Sequence, residues 1–131
     1  MRLSTFCERL DAELRTSDYA DLDASANGLQ VGPRRGAVER VAFCTDGVRQ
    51  TAERAADWGA DALVVHHGVS WGGIERVTER AYDRVAPLIE HDVALYVSHL
   101  PLDGHQELGN AAGVADVLGL ADREPFGAVG P

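Results

Sequence analysis

The chain has 131 residues, a length that predicts one domain with roughly two-thirds of its unfolded surface buried. Its net charge of −9 argues against general nucleic-acid binding or attraction to an anionic membrane surface. No apolar run approaches the ~20 residues of a membrane span, and Glu8 and Asp11 stand where a secretory leader needs its apolar core. A cytoplasmic location is expected. All twelve basic residues are arginine, and this lysine-free acidic composition is the one expected of a halophilic protein working in a salt-rich cytoplasm. The two cysteines, Cys7 and Cys44, are far apart and form no metal-binding spacing, so both are expected as buried thiols.

In chain order, residues 5–15 place Phe6, Leu10 and Leu14 on one helical face, with Thr5 and Glu8 at capping-box spacing. Residues 16–37 read as a loop around Asn27-Gly28-Leu29-Gln30-Val31-Gly32-Pro33. A first strand is expected over 38–44, followed by an N-cap at Thr45-Asp46 and a helix over 48–58 that ends at Gly59. Residues 62–66 are a short β-branched run and predict a second, buried strand. A glycine-rich loop, 68–73, leads to a helix over 78–90 that Pro87 is expected to kink or split. The third strand spans 93–98, and a last helix runs from about 107 to 118 and stops at Gly119.

Strand, helix, strand, helix, strand with short connections specifies a largely parallel sheet flanked by helices, an α/β fold. Ligands of such sheets bind outside the carboxyl ends of the strands. Those ends carry Thr45-Asp46, His66-His67, and His99 with Asp103, so polar and metal-binding side chains collect along one edge.

Adjacent strand residues normally diverge, so His66 and His67 require a turn to approach one point, which Gly68 would permit through a positive φ. Neutral imidazole is the commonest metal ligand, and Asp103 adds a hard oxygen on a loop stiffened by Pro101. Such a mixed donor set suits zinc, iron or manganese. Taken alone, Asp103 reads equally as the cap of the following turn and His99 as a strand-end hydrogen bonder. His91, at a helix end, reads as structural, and His105 as surface loop. Other chemistries lack their motifs: no dinucleotide fingerprint follows the first strand, no lysine exists for a phosphate loop, and neither Ser70 nor Ser98 sits in a nucleophile elbow.

Three motifs then carry a resemblance. Asn27-Gly28-Leu29-Gln30-Val31, Asp61-Ala62-Leu63-Val64-Val65-His66-His67-Gly68, and Leu95-Tyr96-Val97-Ser98-His99-Leu100-Pro101-Leu102-Asp103 with Glu107-Leu108-Gly109-Asn110 closely resemble the Nif-three-like proteins, often called GTP cyclohydrolase I type 2 homologues. The resemblance covers the chain as the N-terminal half of that fold, so residues 1–131 are expected as a single α/β domain equivalent to it. It implies a toroidal homohexamer with two divalent metal ions per subunit and a nucleotide substrate. His66 and His67 would each bind one ion, and Asp103 would join the two. His99 would sit beside the ions and support their ligands, while Asn27 and Gln30 would be structural. The family's later His-x-x-x-Glu ligands have no counterpart after Asp103. Two imidazoles and one carboxylate cannot saturate two ions, so this polypeptide alone is expected to hold at most one loosely bound ion and to show little ring-opening of GTP. The function is either metal-dependent hydrolysis of a purine nucleotide, with Arg34, Arg35 and Arg76 as candidate substrate contacts, or a non-catalytic metal-binding, trafficking or protein-interaction module.

The composition generates one prediction by itself. Thermal unfolding followed from low to multimolar potassium chloride should show a rising midpoint, because screening relieves the self-repulsion of the acidic surface. A flat or falling midpoint would assign the missing lysines to another cause.

Overall fold

Among the residues described in the computed structural model, 1–32, 36–74 and 76–126, the apolar runs form one four-stranded sheet. Its strands are β1 (Gly28–Val31), β2 (Val41–Asp46), β3 (Ala62–His67) and β4 (Ala94–Val97), in the order β1-β4-β3-β2. β2, β3 and β4 are mutually parallel where they pair, with Asp46 opposite His67 and Val65 opposite Val97. β1 runs antiparallel to β4, so the sheet is mixed. The expected parallel core is present, and the segment read as loop contributes an antiparallel edge strand. Three residues between two glycines carry too short a pattern to announce a strand, and pairing with β4 supplies what local sequence lacks.

Helices α1 (Leu3–Leu14), α2 (Arg49–Trp58), α3 (Glu79–Glu90), α4 (Leu100–Asp103) and α5 (Asn110–Val117) complete the described elements, with a 3-10 turn at Thr16–Tyr19. α1 starts two residues before the expected boundary, placing Arg2 at the cap and leaving Thr5 inside the helix. The Leu3 amide instead donates to the Gly36 carbonyl, 3.1 Å away. The N-cap expected at Thr45-Asp46 also moves: β2 runs through Asp46, Val48 takes the cap position, and its amide donates to the Thr51 hydroxyl at 3.0 Å. Pro87 lies buried within α3, which continues across it to Glu90. α5 is shorter than expected, because residues 104–109 form turns over α4 before the helix begins.

The sheet is covered on both faces by apolar residues that alternate along the strands. Leu63, Val65, Leu95 and Val97 pack with Ala52 and Ala55 of α2 and Leu88 of α3. On the other side Ala62 and Ala94 pack with Leu3 and Val38, and Phe6 meets Tyr96 edge-on at 6.4 Å. The buried Tyr96 hydroxyl donates to Asp11 at 2.7 Å, which ties α1 to the centre of the sheet. Among the described residues β2 pairs with β3 alone, and its Phe43 is 75% exposed. Cys44, on the same strand, is exposed rather than buried, and Cys7 is half-buried, because neither lies in the doubly covered centre. No helix among the described residues is long and apolar enough to cross a membrane.

Gly68 does not adopt the positive φ expected of it. It is demanded by close approach: a Cβ there would stand 2.6 Å from Val97 Cγ2 and collide with the Gln30 amide. Gln30 Oε1 occupies that space because it accepts the amides of Val69 and Ser70, at 2.8 and 3.1 Å. Gly68→Ala should therefore lower stability by about 1–3 kcal/mol, the usual cost of overpacking. Urea unfolding checks this, and an unchanged midpoint would mean that the Gln30 clamp yields freely.

Candidate metal centre

Parallel pairing brings the carboxyl ends of β2, β3 and β4 to one edge, and the last two residues of β3 are His66 and His67. Their rings do not diverge as alternating strand residues would; the centroids lie 4.5 Å apart. His99, two residues beyond β4, brings its ring to 4.9 Å from His66 and 5.7 Å from His67. One ring nitrogen of each of the three lies within 4.8 Å of the other two.

The protons on these rings follow from their partners. His66 Nδ1 is 2.9 Å from the Ser98 carbonyl oxygen, which can only accept, so Nδ1 donates and Nε2 keeps its lone pair. His67 Nδ1 donates in the same way to Asp46 Oδ1 at 2.7 Å. His99 Nδ1 faces both oxygens of Asp23, at 3.0 and 3.2 Å. Each imidazole is thus set, by an oxygen behind it, to present Nε2 as a donor to a cation. Oxygen acceptors on the far nitrogen are the usual support of metal-binding histidines.

Asp103 approaches this group through His66, its Oδ1 standing 3.5 Å from His66 Nε2. It is carried there by α4, a single helical turn whose Leu102 and Asp103 amides both donate to the His99 carbonyl at 3.1 Å. Asn110, from the Glu107-Leu108-Gly109-Asn110 motif, reaches the same Asp103 oxygen at 3.4 Å. Trp71 closes one side: its ring meets His99 edge-on at 4.9 Å and its indole N–H donates to the Gly68 carbonyl at 3.3 Å.

Asp46 lies at the strand-end edge as expected, but it orients His67 rather than capping a helix. One supporting carboxylate has no local signature in the sequence. Asp23 lay in the stretch read as loop, yet its side chain is only 2% exposed. It accepts from Asn27 Nδ2 at 2.7 Å, from the amides of Ser25 and Leu100 at 2.9 Å each, and from His99. Burial raises its pKa, but these four donors outweigh burial and hold the carboxyl down at about 2. The spacing of Asp23 and Asn27 in a turn-rich stretch was the available signal. Asn27 also accepts the His99 amide at 2.7 Å, and Gln30 holds the loop after His67.

The remaining candidates lie elsewhere. His105 Nδ1 accepts the amides of Glu107 and Leu108 at 3.2 and 3.0 Å, and its Nε2 stands 4.0 Å from Glu13. That ring is committed to its own turn. Glu107 is exposed, and His91 is exposed at the end of α3. Arg76 is exposed, and Arg34 and Arg35 fall outside the described residues. Arg84, which the sequence did not single out, donates to the Gly47 carbonyl at 3.0 Å and the Gly68 carbonyl at 3.4 Å, linking the loops that follow β2 and β3.

The family model described as Duf34/NIF3 (NGG1p interacting factor 3) matches residues 1–130. The chain belongs to the Duf34/NIF3 family. A relative from Halobacterium salinarum, named GTP cyclohydrolase 1 type 2 homolog, is 58% identical over 97% of this chain and 49% of its own length. One of the same name from Treponema pallidum is 45% identical over 90% of this chain and 43% of its own length. The crystal structure of TTHA1606 from Thermus thermophilus superposes with a TM-score of 0.90 at 36% identity, covering 96% of this chain and 51% of that one. The NIF3 chain thus spans about half the length of the curated relatives it matches.

The depressed Asp23 pKa has a definite sign. The group is a stronger acid folded than at its ordinary value of 3.8, so it contributes stability above about pH 4 that is lost as pH falls through about 2. In Asp23→Asn the loss of unfolding free energy across this interval should be shallower than in the wild type. Parallel urea titrations from pH 4.5 down to about 2 measure it, and equal slopes would mean that Asp23 is not the group being protonated.

Proposed function

We propose that this NIF3 chain binds divalent metal ions through His66, His67 and Asp103 and forms the metal-bearing part of a hydrolase acting on a purine nucleotide such as GTP. The observation that carries the reading is the arrangement of three neighbouring imidazoles, each with Nδ1 tied to an oxygen acceptor, with Asp103 beside Nε2 of His66. The nitrogen and oxygen donors suit zinc, iron or manganese. The names carried by the Halobacterium and Treponema relatives supply the substrate class.

A bound divalent ion would supply Lewis acidity that lowers the pKa of water toward neutrality. The chain's own residues do the positioning. Ser98, Asp46 and Asp23 hold the imidazoles, and Trp71 offers an aromatic wall beside His99 against which a planar ring can lie. The rest of the proposal follows the family resemblance: residues 1–131 as one domain, two ions per subunit with further ligands from a later His-x-x-x-Glu segment, and assembly as a homohexamer.

Elemental analysis of the wild type beside His66→Ala, His67→Ala and Asp103→Ala should show metal in the first and reduced metal in the others, with circular dichroism unchanged. Full occupancy in all three variants would sink the ligand assignment. The hydrolase arm is tested on a full-length relative bearing the matching substitutions, with GTP ring-opening followed in the purine ultraviolet band. A metal-loaded relative that leaves this band unchanged would leave a metal-binding or interaction module as the function.

A further inference from the structure

We propose that a cavity beside the loop after β3 is a binding site for an organic phosphate, held at its phosphoryl group by Arg80 and Arg84 of α3. The cavity has a volume of about 390 Å³ and is lined by Val69, Ile74 and Val77 of the loop and by Arg80, Arg84 and Val85 of α3. It is distinct from the imidazole cluster and needs none of the metal-binding reading above.

The charge of this cavity runs against that of the chain. The sequence has 21 acidic residues and 12 basic ones, yet the charged residues described in the lining are both arginines. Among the described residues neither forms an ion pair with a carboxylate. Glu79 and Asp83, each one position before an arginine, are exposed and do not line the cavity. Two guanidinium groups in one cavity repel each other, and a bound anion turns that repulsion into attraction.

Their position follows from the crossover between β3 and β4. β4 enters the sheet with Ala94 opposite Ala62, so α3 runs from the carboxyl edge of the sheet back to its amino edge. Its first two turns therefore stand where ligands of such sheets bind. Arg84 is fixed at this level by donating Nε to the Gly47 carbonyl at 3.0 Å and Nη2 to the Gly68 carbonyl at 3.4 Å. Among the described residues those bonds leave both hydrogens of Nη1 for another acceptor. Arg80 lies on the same helix face one turn nearer the start of α3, about 6 Å farther along the axis. It is exposed, and its long side chain can close over an anion that Arg84 holds.

The pair selects the anion, and the apolar wall selects what is attached to it. One bidentate arginine satisfies a carboxylate, whereas a phosphate monoester carries nearly two charges and three free oxygens that bridge two arginines. Val85 is buried, while Ile74 and Val77 are half-exposed beside the arginines. An apolar or planar body on the phosphate would cover that wall, which inorganic phosphate would leave wet.

The experiment uses the metal-free 131-residue chain, uniformly labelled with 15N, at a salt concentration where circular dichroism shows it folded. Phenyl phosphate is the probe, with inorganic phosphate and benzoate as comparisons. Phenyl phosphate should move the Nε–Hε resonances of Arg80 and Arg84 together and saturably, and should bind at least about 10-fold tighter than either comparison. Arg80→Gln should weaken it by about 10–100-fold, the loss of one charge-assisted contact. Ile74→Ser should weaken phenyl phosphate and leave inorganic phosphate unchanged. GMP, titrated in the same way, separates two sources of the phosphate. Movement of the Trp71 indole resonance with both arginines would assign it to a nucleotide reaching toward the imidazoles, and movement of the arginines alone to a separate ligand. No saturable movement of Arg80 and Arg84, or benzoate binding as tightly as phenyl phosphate, would overturn the proposal whatever the metal content proves to be. Arg84→Gln would also cut the ties to Gly47 and Gly68, so the exposed Arg80 and Ile74 carry the decisive substitutions.

Discussion

The candidate site depends on one buried carboxylate. Asp23 comes from a stretch without regular secondary structure, between the 3-10 turn and β1, and gathers donors from both sides of a sequence gap of more than seventy residues. It satisfies the amide of Leu100, orients the His99 ring, and receives the Asn27 side chain, whose own oxygen holds the His99 amide. Without it, two backbone N–H groups, an amide side chain and an imidazole would lose a shared acceptor in a place that water reaches poorly. The cost of leaving such groups unpaired is larger than the gain from any one of the bonds. The exit of β4 and the orientation of the His99 ring are thus one network.

A second buttress works from the same edge strand. Gln30 of β1 crosses to the loop after β3 and accepts two consecutive amides, and Gly68 leaves room for it by having no side chain. Arg84 from α3 meets that loop at the Gly68 carbonyl. The histidines therefore stand between a strand fixed by the sheet and a loop fixed from both flanks. This placement explains why a site built at strand ends can still be held to a defined geometry.

The parts that were legible in the sequence were those with local periodicity. The β-branched run ending in His66-His67 and the run ending before His99 announced two parallel strands, and parallel pairing alone sent their carboxyl ends to one edge. The helices over 48–58 and 78–90 were legible for the same reason. β1 was not, because three residues between two glycines carry no pattern until β4 is beside them. The role of Asp23 was hidden because a turn aspartate normally serves its own turn, and nothing local announces that it will reach His99. Asp46 was misread as a cap because the strand runs two residues longer than its apolar stretch. The cap at Thr5 and the buried state of Cys44 failed likewise, since each depends on where the neighbouring elements stop.

The long reach of these bonds bears on how the protein assembles. The contacts that define the site join residues 23 and 99, 27 and 99, 46 and 67, and 30 and 69. Closing such loops costs chain entropy before any bond returns it, so contacts of this separation form after the local helices and neighbouring strands are in place. The His99 imidazole acquires its fixed tautomer only when the segment that carries Asp23 has docked beside β4. A cation would therefore meet a finished cradle rather than nucleate one, and its arrival would mark the end of folding, unlike the small zinc domains whose metal is the core.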